Sequence, residues 1–252
     1  MKLYTLGTGA PLHYTRATTG FLVEAAGEPL LIDTCGGFEL VRRLKALGKT
    51  PEGFHHAVLT HRHGDHIGGV MALAIAANPL HLYGSADALQ ATKDLLTLTY
   101  GEAAFNVLEH VQFHPVEAGR AYDIAGYTLE FLEVVHRVPT LAVRLEHAGK
   151  VIAFSADTLP CDNAIEVAKH ADLYLCDALC ARADGASYIP RVKDLQHPIA
   201  AEAAQMAKEA GAKALALTHI ARYGTAENML KEAGDIFSGE LSVPDDLHCF
   251  EL

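Results

Sequence analysis

The chain has 252 residues, half of them apolar, enough to bury a sizeable core without forcing a division into separate domains. Its 20 basic and 31 acidic residues leave a net charge of −11, with no densely basic stretch, which argues against wrapping a polyanion. The cysteines (Cys35, Cys161, Cys176, Cys180 and Cys249) are odd in number and form no Cys-x-x-Cys pair, so they read as reduced cytosolic thiols rather than a disulfide frame.

In chain order, the run Met1 to Gly7 enters a glycine turn with no signal-peptide core, so a cytoplasmic protein is expected. Short strands are predicted at 3–6, 20–24 and 29–32, and Gly7, Gly9 and Pro11 make the first turn. Residues 38–47 place apolar groups at helical spacing, and Gly48 follows as a stop. The apolar run Ala57-Val58-Leu59-Thr60 precedes a histidine-rich stretch, then a buried helix at 67–77 and a more polar one at 86–98. The longest apolar run, Val70 to Ala77, is too short to span a bilayer, so no membrane association is expected. The segment 78–110 is expected to wall a cleft. Its Tyr100 and Phe105 are either substrate contacts or, more commonly for such aromatics, core.

Strands return at 110–114, 120–124, 127–135, 140–147 and 150–155. The last third alternates: helix 162–170, strand 172–177, helix 198–210, strand 213–218, helix 225–237. Pro198 suits the first turn of its helix and Gly211 its end. No linker or solenoid repeat interrupts the pattern. A single α/β domain over 1–252, with helices covering the outer faces of its sheets, is the reading.

Residues 61–66 read His-Arg-His-Gly-Asp-His, three imidazoles and a carboxylate in six positions. Neutral imidazole and carboxylate are ligands for zinc and neighbouring metals. Three further candidates lie at strand ends: His136 after 129–135, Asp157 after 151–156, and His219 after 214–218. Ligands at strand ends are held by a rigid sheet, as a metal site requires.

The His-x-His-x-Asp-His string resembles the signature of the metallo-β-lactamase superfamily, and the downstream candidates match its order. The resemblance covers essentially the whole chain and implies a four-layer αβ/βα sandwich with two divalent ions in the cleft, zinc first, with manganese or iron as alternatives. Carried over by position, it implies one ion on His61, His63 and His136, the other on Asp65, His66 and His219, and Asp157 bridging. Such paired ions, about 3.5–4 Å apart, share a water whose pKa falls toward about 7, and the resulting hydroxide attacks. Asp65 is expected to orient that nucleophile. Asp33 is either an acceptor that fixes an imidazole tautomer or a simple turn residue.

Substrate class must come from elsewhere. An aspartate at 157, where true metallo-β-lactamases carry a cysteine ligand, counts against that activity. Leu217-Thr218-His219-Ile220-Ala221-Arg222-Tyr223 resembles the Leu-Thr-His-x-Ser-x-Arg-Tyr stretch of the ribonuclease Z and arylsulfatase branch, one residue short and lacking the serine. Asp177 and His197 resemble that branch's acid–histidine pair, in which the histidine protonates a leaving alkoxide. The alternative for His197 is a cap on the following helix. Arg222 is either a clamp on an anionic oxygen or surface decoration, and with Tyr223 it is the expected substrate contact. Between His136 and Asp157 there is no room for the basic arm with which ribonuclease Z grips tRNA, so tRNA is an unlikely partner. A small phosphodiester or related anionic ester is the expected substrate, and thioester or lactone hydrolysis is the alternative. The branch also implies a homodimer.

Overall fold

The computed structural model describes residues 1–25, 27–101 and 106–252; Phe105 lies outside them. The N-terminal half forms β1 (Lys2–Gly7), β2 (Gly20–Glu24), β3 (Leu30–Thr34), α1 (Glu39–Ala46), β4 (His56–Leu59), α2 (Gly64–Ile67), α3 (Val70–Ala76), β5 (Leu80–Gly84), α4 (Ala86–Tyr100) and β6 (Val111–Pro115). The rest forms β7 (Ala121–Ile124), β8 (Tyr127–Val134), β9 (Thr140–His147), β10 (Lys150–Phe154), α5 (Asp162–Glu166), β11 (Leu173–Asp177), α6 (Ile189–Asp194), α7 (Ala200–Ala210), β12 (Ala214–Thr218), α8 (Ala226–Gly234), β13 (Glu240–Ser242) and β14 (Cys249–Glu251).

These strands make two seven-stranded sheets, ordered β14-β1-β2-β3-β4-β5-β6 and β13-β12-β11-β10-β9-β8-β7. In each, antiparallel pairing changes to parallel part-way across, at β3–β4 in one and β10–β11 in the other. Loops leaving the carboxyl ends of strands at such switch points bound a crevice that connections do not fill. The candidate donors all leave from those ends.

Alternation along the strands assembles the layers. Leu30 and Ile32 of β3, Val58 of β4 and Leu173 and Leu175 of β11 face the core between the sheets. Leu31, Ala57 and Leu59 face outward onto α1, α3 and α4, and Tyr174, Cys176, Leu215 and Leu217 face α5, α7 and α8. Strands buried on both faces read as continuous apolar runs. The result is the expected four-layer αβ/βα sandwich.

Several boundaries differ from the sequence reading. The helix expected at 67–77 is two pieces, interrupted at Gly68 and Gly69, because this turn lies against the end of β3. A Cβ on Gly69 would sit 1.9 Å from the Thr34 carbonyl oxygen, and the Gly69 N–H donates to the Cys35 carbonyl at 3.0 Å. Helix α7 starts at Ala200, so Pro198 precedes it, and the Glu202 carboxylate accepts the Ile199 N–H at 3.0 Å. Gly211 closes that helix in the left-handed region (φ 64°) as expected. Against expectation, the described residues of the segment 78–110 do not line the cleft over the candidate donors. They form β5, α4 and a single 3₁₀ turn (Val107–Glu109), and Tyr100 packs against the outer apolar layer.

Candidate metal centre

Strand β4 delivers the histidine-rich motif, which turns from extended backbone at His63 into α2. His136 follows β8, Asp157 follows β10 and His219 follows β12. All seven predicted donors gather in two clusters, His61, His63, His136 and Asp157 in one and Asp65, His66 and His219 in the other, with ligand atoms within 4.8 Å of one another. In the first, the His63 Nδ1 lies 3.0 Å from His61 Nε2 and 3.3 Å from His136 Nε2. In the second, Asp65 Oδ2 is 3.4 Å from Nε2 of both His66 and His219.

Asp157 stands between the two. Its Oδ2 lies 3.4 Å from His66 Nε2 and His219 Nε2, 3.7 Å from His61 Nε2 and 3.8 Å from His136 Nε2. One oxygen therefore faces both clusters. Several residues here adopt the left-handed region despite having side chains: Asp33 (φ 55°), Ala156 (52°), Gln196 (64°) and His219 (57°). Each such conformation costs about 1–3 kcal/mol and is held only where the surroundings impose it.

A buried network fixes the imidazoles. Asp33 accepts the His66 Nδ1–H at 2.7 Å, the Thr60 N–H at 2.9 Å and the Thr60 hydroxyl at 2.8 Å. Of the two readings of Asp33, the tautomer-fixing acceptor is the one the structure holds. The Thr60 Oγ1 also lies 3.1 Å from His61 Nδ1, a role sequence reasoning missed. Because a carboxylate can only accept, the Asp33 bond keeps a proton on His66 Nδ1, so in the neutral ring Nε2 is the lone pair. That Nε2 is buried without a hydrogen-bond partner and faces two carboxylates. An orphaned imidazole lone pair among carboxylates is a donor set suited to a divalent cation.

The electrostatics agree. Burial drives the His61 imidazole well below its ordinary range and His136 down to about 4. Burial also resists charge on His66 and His219, yet facing carboxylates outweigh it, Asp157 first, raising His66 well above its usual value and His219 to about 10. Against their own burial, Asp65 and Asp157 are held far below the carboxylate range by these imidazoles. Without metal, protons stand where the field favours cations.

A cleft of about 700 Å³ opens over the donors. Asp177 accepts the His197 Nδ1–H at 2.7 Å, and its other oxygen lies 3.5 Å from His219 Nδ1. His197 does not cap α7; it lines the cleft, with Nε2 as its remaining ring nitrogen. Arg222 and Tyr223 line it too. Arg222 donates to the Tyr14 hydroxyl at 2.9 Å, and Tyr223 stacks on Tyr188 with ring centroids 4.2 Å apart. Arg137, Tyr188 and Arg191 complete the wall, although their segments carry no sequence pattern that announces it.

Known proteins place this geometry. Residues 29–220 match the family described as a beta-lactamase superfamily domain. The chain is 30% identical to ribonuclease Z of Mycobacterium tuberculosis, over all of this chain and 98% of that one. It is also 30% identical to the probable metallo-hydrolase YhfI of Bacillus subtilis, over 90% of this chain and 89% of that one. Its fold matches the crystal structure of YhfI (TM-score 0.83, 24% identity, 100% and 99% covered) and that of the short form of human tRNase Z (TM-score 0.77, 21% identity, 100% and 99% covered). The chain belongs to the metallo-β-lactamase superfamily, in the group that includes ribonuclease Z. It is a metal-dependent hydrolase. Among the described residues no helix is long and apolar enough to cross a membrane.

Proposed function

We propose that this hydrolase is dinuclear, takes zinc, and cuts a small phosphodiester or closely related anionic ester. The observation that carries the reading is His197, locked by Asp177 on the wall of the cleft that also opens onto Asp157. An acid at that position serves a leaving alkoxide, which thioester cleavage does not need.

His61, His63 and His136 would hold one ion, Asp65, His66 and His219 the other, with Asp157 shared. Two bound divalent ions supply an acidified water and positive charge for the oxygens that gain it. Asp65 orients the attacking water. The His197 Nε2–H gives its proton to the leaving oxygen, while Asp177 retains the Nδ1–H and steadies the ring. Arg222, with donors left over after its bond to Tyr14, binds an anionic oxygen of the substrate. Ribonuclease activity on tRNA is not part of the proposal. The stretch between His136 and Asp157 is taken up by the β9–β10 hairpin, and the chain carries a net charge of −11.

The test is hydrolysis of bis(p-nitrophenyl) phosphate by zinc- or manganese-loaded protein, beside p-nitrophenyl sulfate and a lactone. Asp157→Ala should abolish phosphodiester turnover. His197→Ala should lower it only modestly for the p-nitrophenolate leaving group and by about 10²–10⁴ for an alkoxide leaving group. Turnover confined to the lactone and indifferent to His197 would move the chain to the lactone and thioester hydrolases.

A further inference from the structure

The cleft wall also carries arginines that belong to none of the donor clusters. Arg191 reaches it from α6 and Arg222 from the loop after β12, and both line it together with Tyr223. Arg222 keeps one N–H on Tyr14. Arg137 is engaged by the Asp194 carbonyl through two of its nitrogens. The Arg191 carbonyl accepts the Leu195 N–H at 2.9 Å, but the Arg191 guanidinium makes no hydrogen bond or ion pair among the described residues. In a chain of net charge −11, two exposed arginines on the wall of one cleft, Arg191 without a side-chain partner, concentrate positive charge there.

The patch is held in place. Tyr188, one turn before Arg191, stacks on Tyr223, the neighbour of Arg222, at an interplanar angle of 13°. The Asp184 carboxylate accepts the Ala181 N–H at 2.8 Å, the Thr225 hydroxyl at 2.7 Å and the Asn228 amide at 2.8 Å. Glu232 accepts the N–H groups of Arg182 and Ala201. The segment bearing Tyr188 and Arg191 is thereby tied to α8 and to the turn that carries Arg222.

We propose that Arg191, Arg222 and the Tyr223 hydroxyl form a second anion subsite, and that the substrate bears a terminal phosphate besides the ester that is cut. This rests on the phosphodiesterase reading above. A scissile diester is a monoanion that belongs at the metal donors and leaves Arg191 unmatched. Two guanidinium charges match a phosphate monoester dianion, and their planar forks suit its oxygens.

The experiment compares two substrates of the zinc-loaded protein: the p-nitrophenyl ester of thymidine 5′-phosphate, and the same ester bearing a 3′-phosphate. The kcat/KM ratio should favour the second by about 10- to 100-fold and shrink with added salt. Arg191→Ala should bring the ratio toward unity, and Arg191→Lys should retain part of it. Both esters cleaved with a ratio near one would overturn the subsite and leave the phosphodiesterase reading standing. A high ratio unmoved by Arg191→Ala would overturn the assignment to Arg191. If neither ester nor bis(p-nitrophenyl) phosphate is cleaved, both readings fall together.

Discussion

Asp33→Asn is the most informative single change, because it alters one proton and almost no volume. In the parent chain the buried carboxylate accepts from His66 Nδ1, the Thr60 N–H and the Thr60 hydroxyl, all within 2.9 Å. If the asparagine oxygen stays on the Thr60 N–H, its NH₂ meets His66 Nδ1 and forces that nitrogen to accept. The imidazole proton then moves to Nε2, the atom that faces Asp65 and Asp157 and must be bare to bind a metal. If the amide flips, its NH₂ meets the Thr60 N–H, and two donors confront each other in a buried site. Either outcome weakens the ion on the His66 side. Loss of such an outer partner lowers affinity by about 10- to 100-fold, or about 1.4–2.7 kcal/mol. Zinc affinity measured against a chromophoric chelator reads this directly, with near-ultraviolet circular dichroism to show that the fold survives. A folded Asp33→Asn protein that binds zinc as tightly as the parent would refute the reasoning.

Gly69→Ala should destabilise by about 3 kcal/mol or more, since the added carbon meets the Thr34 carbonyl at 1.9 Å with backbone on both sides. An unchanged urea midpoint would count against that contact. The metal-free protein should be most stable near pH 6.5. His219, raised to about 10, contributes stability present below about pH 6.5 and lost as pH climbs toward 10, whereas His136, lowered to about 4, contributes stability present above about 6.5 and lost as pH falls toward 4. Metal-free melting temperatures that rise steadily from pH 6.5 to 9 would contradict this balance.

The donor motif is readable in the sequence because six consecutive residues carry four donors, and because strand ends are marked by apolar runs stopping at a polar residue. His136, Asp157 and His219 follow that rule and do converge. Asp33 and His197 each admit two readings in sequence, and only the hydrogen bonds of a folded chain decide between them. What escaped has physical reasons too. Strands β13 and β14 are three-residue edges with no fully buried position, and α6 buries only Val192, so neither shows a period. Strand β5 alternates cleanly, but the Asn78-Pro79 before it and the Gly84 that ends it read as loop and disguise it. Arg191 gives no local signal at all. Its meaning comes from Tyr223 and Arg222, some thirty positions further along the chain.

The donors are divided between the two sheets. His61, His63, Asp65 and His66 hang from the first, and His136, Asp157 and His219 from the second. Neither sheet alone holds a complete set, so a metal bound by both would act as a clasp across the open edge of the sandwich. Like a cross-link between distant parts of the chain, it closes only after the long-range docking of the halves, the step that topology makes slow. Metal uptake would thus report completed assembly, and a chain that had formed each half but not joined them would be recognisable by its failure to retain the ions.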